Sequence, residues 1–174
     1  MGHCLKEVFS SEVIAARIEE LGKEISETYG DQPLVCVCVL KGAYLFFADL
    51  TRSLKAEPEI DFVRLSSYGN GKSRTGTMNF SKDLEGSIAD KHVLIVEDIV
   101  DTGHSVEFLK HVFSKRNPLS IKTCSLIDKN ERREIDLKVD FAGFVVENGF
   151  LVGYGMDYAE KYRYLNAVYE LEND

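Results

Sequence analysis

Three carboxylates, Glu97, Asp98 and Asp101, crowd into one short stretch directly after the apolar run Val93-Leu94-Ile95-Val96. Ile99 and Val100 separate the second acid from the third, and Thr102, Gly103, His104 and Ser105 follow. Ionised carboxylates accept hydrogen bonds and donate none. Glu97 and Asp98 therefore suit a vicinal diol such as a ribose, or a hard cation such as magnesium. Thr102 and Ser105 bring hydroxyls, and Gly103 permits a sharp turn. The free N–H groups of a helix opening there make an anion site. Diol, cation and phosphate together describe a phosphorylated sugar. An ordinary strand leading into a capped helix needs none of the three acids.

Two lysines stand in comparable places. Lys41-Gly42 follows the apolar run of residues 34–40, and Lys129 follows that of residues 121–127. In a parallel α/β sheet the ligand crevice lies at the carboxyl ends of the strands, so Lys41, Glu97 and Lys129 are expected to converge on one crevice. A cation beside backbone N–H groups at Lys41-Gly42 suits an anion; the plainer reading is a solvated lysine next to a turn glycine. Lys129 has the same plain alternative, as part of the charged run of residues 128–133. Residues 60–66 read as a second strand with Arg64 near its end. Residues 67–77 are rich in glycine, hydroxyls and basic groups and lack aliphatic anchors. They read as a lid that closes over reacting ligands or as a surface hairpin. Phe150 offers an aromatic face for a base to stack on, or packs in the core. Gly153 and Gly155 suggest close backbone approach, and Asp157 lies in the same loosened segment.

The elements that position these groups alternate between strand and helix. Ser10 or Ser11 caps a helix in which Ile14, Ile18, Leu21 and Ile25 recur at helical spacing to about Tyr29. Arg17 on this helix faces solvent or a subunit interface. A second helix spans residues 43–50. A third opens near Gly103 and carries Val106, Leu109, Val112 and Phe113 before Asn117-Pro118 stops it. Phe144-Val145-Val146 leads to a turn at Asn148-Gly149. The pattern predicts an α/β fold, a mostly parallel sheet flanked by helices, with residues 1–174 as one domain.

Bulk properties narrow the class. The chain has 174 residues, 44% hydrophobic and 29% charged, with a net charge of −8. That acidity argues against a nucleic-acid surface. The apolar run of residues 34–40 is too short to span a membrane, and the N-terminus lacks a signal-peptide pattern, so a cytoplasmic protein is expected. Cys4, Cys36, Cys38 and Cys124 make no zinc pattern. Cys36 and Cys38 alternate within an apolar strand and read as buried hydrophobes rather than a redox pair. The first strand–helix junction, Leu40-Lys41-Gly42-Ala43-Tyr44, is not the glycine fingerprint of a dinucleotide site.

The stretch Glu97-Asp98-Ile99-Val100-Asp101-Thr102-Gly103-His104-Ser105 after its apolar strand resembles the phosphoribosyl-pyrophosphate motif of the type I phosphoribosyltransferases. The remainder of the chain, from about Val8 on, is similar to the hypoxanthine (hypoxanthine-guanine) branch. The resemblance implies a small hood built from the N- and C-terminal segments. It implies transfer of phosphoribosyl from phosphoribosyl pyrophosphate to a 6-oxopurine, hypoxanthine or guanine with xanthine left open, using magnesium. Glu97 and Asp98 would hold the ribose diol directly or through the metal. Asp101, Thr102, Gly103, His104 and Ser105 would hold the 5′-phosphate, with Asp101 also the general base. Lys41 and Gly42 match the pyrophosphate loop, where the family can carry a cis peptide. Ser67 and Tyr68 match the start of the lid. Lys129 matches the lysine on the 6-oxo group, Phe150 the stacking aromatic, and Leu151 the residue whose backbone meets the base. Asp157 matches a second-metal or purine contact, and Arg163 a pyrophosphate contact, although Tyr164 stands where the family usually has asparagine or aspartate. A homodimer or homotetramer is expected. The alternative is a regulator of the same fold that senses phosphoribosyl pyrophosphate and binds nucleic acid.

Overall fold

The computed structural model describes residues 4–68 and 77–172, without the side chains of Ser67, Tyr68 and Thr77. The lid expected over residues 67–77 therefore lies almost wholly outside the described residues. In chain order the elements are β1 (Cys4–Phe9), α1 (Ser11–Tyr29), β2 (Leu34–Leu40), α2 (Tyr44–Ser53), β3 (Glu59–Tyr68), β4 (Thr77–Lys82), β5 (His92–Val100), α3 (His104–Ser114), β6 (Ser120–Lys129), β7 (Phe141–Val146), β8 (Leu151–Val152) and β9 (Val168–Glu172).

Six strands form the main sheet in the order β4-β3-β2-β5-β6-β7. All neighbours are parallel except β3 and β4. The continuous apolar runs of β2 and β5 follow from burial on both faces. Cys36, Cys38, Leu94 and Val96 pack with Ile14, Ile18, Phe46 and Leu50 of α1 and α2. Val35, Val37, Val93 and Ile95 pack with Leu109 and Phe113 of α3. Each fully buried Leu, Ile or Phe there contributes about 1.5–3 kcal/mol. Burial pushes the thiols of Cys36 and Cys38 up to about 12, which suits small hydrophobes and not a redox pair.

α1 starts as expected, with the Ser10 hydroxyl accepting from Val13 N–H at 3.4 Å. Arg17 is only partly turned to solvent. Its guanidinium donates to the carbonyls of Ala142 and Gly143 at 2.8 and 2.9 Å, covering part of the exposed edge of β7.

The hood is a three-stranded antiparallel sheet, β1-β9-β8, built from the two ends of the chain. Asn148-Gly149 turns the chain, but it closes no hairpin: β7 belongs to the main sheet and β8 to the hood.

Candidate active site

The three lysine- and acid-bearing strand ends are spatial neighbours, because β2, β5 and β6 lie side by side. β5 runs further than its four apolar residues, through Glu97 and Asp98 to Val100. Lys129 likewise ends β6 rather than following it. The acids are thus held by strand hydrogen bonds. Successive strand side chains leave on opposite faces, so Glu97 and Asp98 do not stand side by side. Both still line one polar cavity of about 260 Å³, with the rest of residues 97–103, Ser105 and Val106.

That cavity is short of positive charge. Glu97 is 6% exposed. Its carboxyl is held well above its ordinary range, first by burial and then by Asp98. Burial pushes Asp98 up to about 6, partly offset by backbone N–H donors and by Arg163, and reinforced by Asp157. A buried and a partly buried acid in this state fit a hard cation. No cage of three or more candidate ligands exists among the described residues, so such an ion would take most of its oxygens from substrate and water, as magnesium commonly does.

The start of α3 forms one wall of the same cavity. Gly103, at φ 91°, is its N-cap and offers no side-chain hydrogen bond. The first N–H groups of the helix, which Ser10 partly satisfies in α1, are left for a ligand. His104 opens α3. Its ring turns outward, Nε2 lying 2.7 Å from Glu134 Oε2, and it does not line the cavity. The group of His104 that stays at the cavity end of α3 is its backbone N–H.

A second cavity of about 220 Å³ adjoins the first, sharing Asp98, Ile99 and Asp101, and is also lined by Lys129, Phe150, Leu151 and Asp157. Lys129 is buried, and its ammonium donates to the Gly149 carbonyl at 2.8 Å. Phe150 is half exposed and meets Tyr158 edge to face, centroids 5.6 Å apart. Asp101 sits on the wall common to both cavities. Its Oδ1 is buried without a hydrogen-bond partner, while Oδ2 lies 3.5 Å from Arg132.

The remaining candidates divide. Lys41 follows a cis Leu40–Lys41 peptide, and its ammonium is paired with Glu160. Arg163 donates to the Gly155 carbonyl and pairs with Asp157 at 2.6 Å. Asp157 Oδ2 also accepts from Glu160 N–H. Both oxygens of this proposed second-metal ligand are therefore engaged. Arg64 is level with Leu40 in β3, exposed, and outside the lining of either cavity. Ser67 and Tyr68 are placed only as backbone at the end of β3.

One residue that the sequence reading passed over holds the site together. Arg133 Nε donates to the Asp101 carbonyl at 2.8 Å, and Nη1 to the Leu137 carbonyl at 2.7 Å. Nη2 reaches the carbonyls of Val100 and Lys129 and the Asp128 carboxylate. A single guanidinium ties the Asp101 loop to the strand end that carries Lys129.

An acid-lined strand end, an open helix N-terminus and an adjoining recess walled by Lys129 and Phe150 define an α/β protein with one composite site at the carboxyl ends of its strands. The phosphoribosyl transferase domain family matches residues 5–159. The chain belongs to that family. It is 43% identical over 170 residues to the hypoxanthine phosphoribosyltransferase of Escherichia coli strain K12, covering 97% of this chain and 96% of that one. It is 42% identical over 173 residues to the hypoxanthine-guanine phosphoribosyltransferase of Aquifex aeolicus, covering 99% and 97%. A crystal structure of a hypoxanthine-guanine phosphoribosyltransferase from Bacillus anthracis superposes with a TM-score of 0.91 at 36% identity, covering 99% of this chain and 100% of that one.

Proposed function

We propose that this chain transfers the phosphoribosyl group of phosphoribosyl pyrophosphate to hypoxanthine or guanine, giving IMP or GMP and pyrophosphate, a reaction of purine salvage. The observation that carries the reading is Asp101. Its partnerless oxygen lies on the wall between a phosphate cavity and a recess holding Lys129 and Phe150. The names of the relatives, over nearly the whole chain, support the same reading. They lend no support to the alternative of a nucleic-acid-binding regulator, which also would not need Lys129, Phe150 and Asp157 on one cavity.

Breaking the bond at the anomeric carbon leaves an oxocarbenium-like centre, so both partners must be held in line. Thr102, Ser105 and the open N–H groups of α3 grip the 5′-phosphate. Glu97 and Asp98 take the ribose diol. Lys41, Gly42 and Arg163 receive the pyrophosphate. Lys129 exchanges its Gly149 carbonyl for the 6-oxo group of the purine. An adenine amino group presents donors where that ammonium needs an acceptor. Phe150 stacks on the ring, and the backbone of Leu151 meets its edge. Asp101 accepts the ring N–H proton as that nitrogen attacks. Magnesium, when bound, supplies charge neutralisation for the departing pyrophosphate. Glu97 and Asp98 are its candidate holders, and Asp157 would serve a second ion only after releasing Arg163.

The same reading takes the working form as a homodimer or homotetramer in the cytoplasm, with residues 1–174 as one domain. Exposed Ile60, Val145 and Tyr164 support association, and the free cysteines support a reducing compartment. Among the described residues no helix is long and apolar enough to cross a membrane.

The Asp101→Asn variant tests the central role. Turnover is expected to fall far more than tenfold, with phosphoribosyl pyrophosphate binding largely intact. Turnover within about tenfold of the parent removes Asp101 as the base.

A further inference from the structure

The two cations read as receiving pyrophosphate already hold an anion. Lys41 Nζ lies 3.0 Å from both carboxylate oxygens of Glu160, and Arg163 Nη2 lies 3.5 Å from Glu160 Oε2. This one carboxylate offers both side chains what a phosphoryl group would offer, negatively charged oxygens at ion-pair distance. The hydrogen bond from Lys41, opposed by burial and reinforced by the charges of Lys41 and Arg163, holds the Glu160 carboxyl below its ordinary range, so the charge is present.

The backbone is arranged for this contact. Ala159, Glu160 and Tyr162 have φ of 51°, 62° and 73°, a left-handed region that residues with a Cβ adopt infrequently. Such conformations cluster at functional sites. Asp157 Oδ2 accepts from Glu160 N–H at 2.8 Å and steadies the turn. The segment thereby folds back, so that a side chain three residues from Asp157 and three from Arg163 meets the loop after β2.

We infer that Glu160 is an internal competitor for pyrophosphate. The inference rests on reading Lys41 and Arg163 as the pyrophosphate contacts. Incoming anion must displace the Glu160 carboxylate. Once displaced, that carboxylate stays tethered beside the site, where its charge weakens the hold on pyrophosphate and speeds its departure. An exposed ion pair is weak by itself, but these pairs use the cations the ligand needs, so their strength is subtracted directly from ligand affinity.

Two exposed pairs of this kind shift an equilibrium by about three- to tenfold together. Calorimetric titration of magnesium pyrophosphate into the full chain reads this out. Glu160→Gln should tighten the Kd by about three- to tenfold, and Glu160→Lys by more; both gains should shrink as salt is raised. Both substitutions fall on an exposed side chain, and thermal melts of the variants verify the fold. An unchanged Kd overturns the proposal by making Glu160 a solvated bystander. A weaker Kd overturns it by making Glu160 a support that holds Lys41 in place. Failure of the parent protein itself to bind magnesium pyrophosphate sinks the reading of Lys41 and Arg163, and the proposal with it.

Discussion

A Cβ placed on Gly42 would stand 1.8 Å from Asp98 Oδ2. The Lys41-Gly42 loop after β2 and the Asp98 end of β5 are packed backbone against carboxylate. The hood closes on the same point, since a Cβ on Gly155 would stand 2.0 Å from the Gly42 carbonyl oxygen. Both glycines are required by close approach, Gly155 also by its φ of 99°. Gly42→Ala must therefore push Asp98 or the Lys41 loop aside. A displacement of about 1 Å at such a position costs on the order of a hundredfold in rate. We expect kcat/KM for phosphoribosyl pyrophosphate to fall by about that factor, read by steady-state kinetics. A loss under about threefold would show the loop to be slack.

Arg133 should behave as a positioning residue. Its side chain is only 13% exposed, and its guanidinium serves carbonyls on both sides of the site. Removing one member of a buried charged network costs about 3–5 kcal/mol of stability. Arg133→Met should lower the melting temperature and reduce kcat at saturating substrates, because Asp101 and Lys129 lose their common tie. Arg133→Lys restores charge without the planar fork and should recover stability better than kcat. Equal recovery of both would reduce Arg133 to a structural role.

These contacts mark where local pattern stops being informative. The stretch of residues 97–105 was legible because strand, acids, turn and helix start are all contiguous. Lys41 and Lys129 were legible as residues at the ends of apolar strands. Arg133 was not: it follows Arg132 in one charged run, and only tertiary packing buries the one while leaving the other 65% exposed. β1 and β9 pair residues at opposite ends of the chain, Cys4 with Glu172, so their short mixed segments carry little periodicity of their own. The outward turn of His104 depends on Glu134, thirty residues on. Glu160 had no signal, since its meaning comes from Lys41 across 119 residues.

Glu97 and Asp98 make a pH prediction. Burial pushes the Asp98 carboxyl up to about 6 in the folded chain from an ordinary 3.8. Between those values the folded state keeps a proton that the unfolded chain has lost, so stability of the ligand-free protein declines as pH rises through that window. The upward shift of Glu97 acts in the same direction. A cation bound at these acids must displace the proton, so magnesium with phosphoribosyl pyrophosphate should stabilise more at about pH 7.5 than at about pH 5. Thermal melts with and without both ligands at the two pH values check this. An equal or larger shift at the lower pH would mean that these carboxylates do not meet the cation.

The most direct test is product formation from phosphoribosyl pyrophosphate and magnesium with hypoxanthine, guanine, xanthine and adenine in parallel. The Lys129 ammonium, buried and already donating to a carbonyl oxygen, predicts turnover of 6-oxopurines and none of adenine. Turnover of adenine at a comparable rate would contradict the part given to Lys129. Tight phosphoribosyl pyrophosphate binding with no turnover of any base would contradict the proposed activity itself.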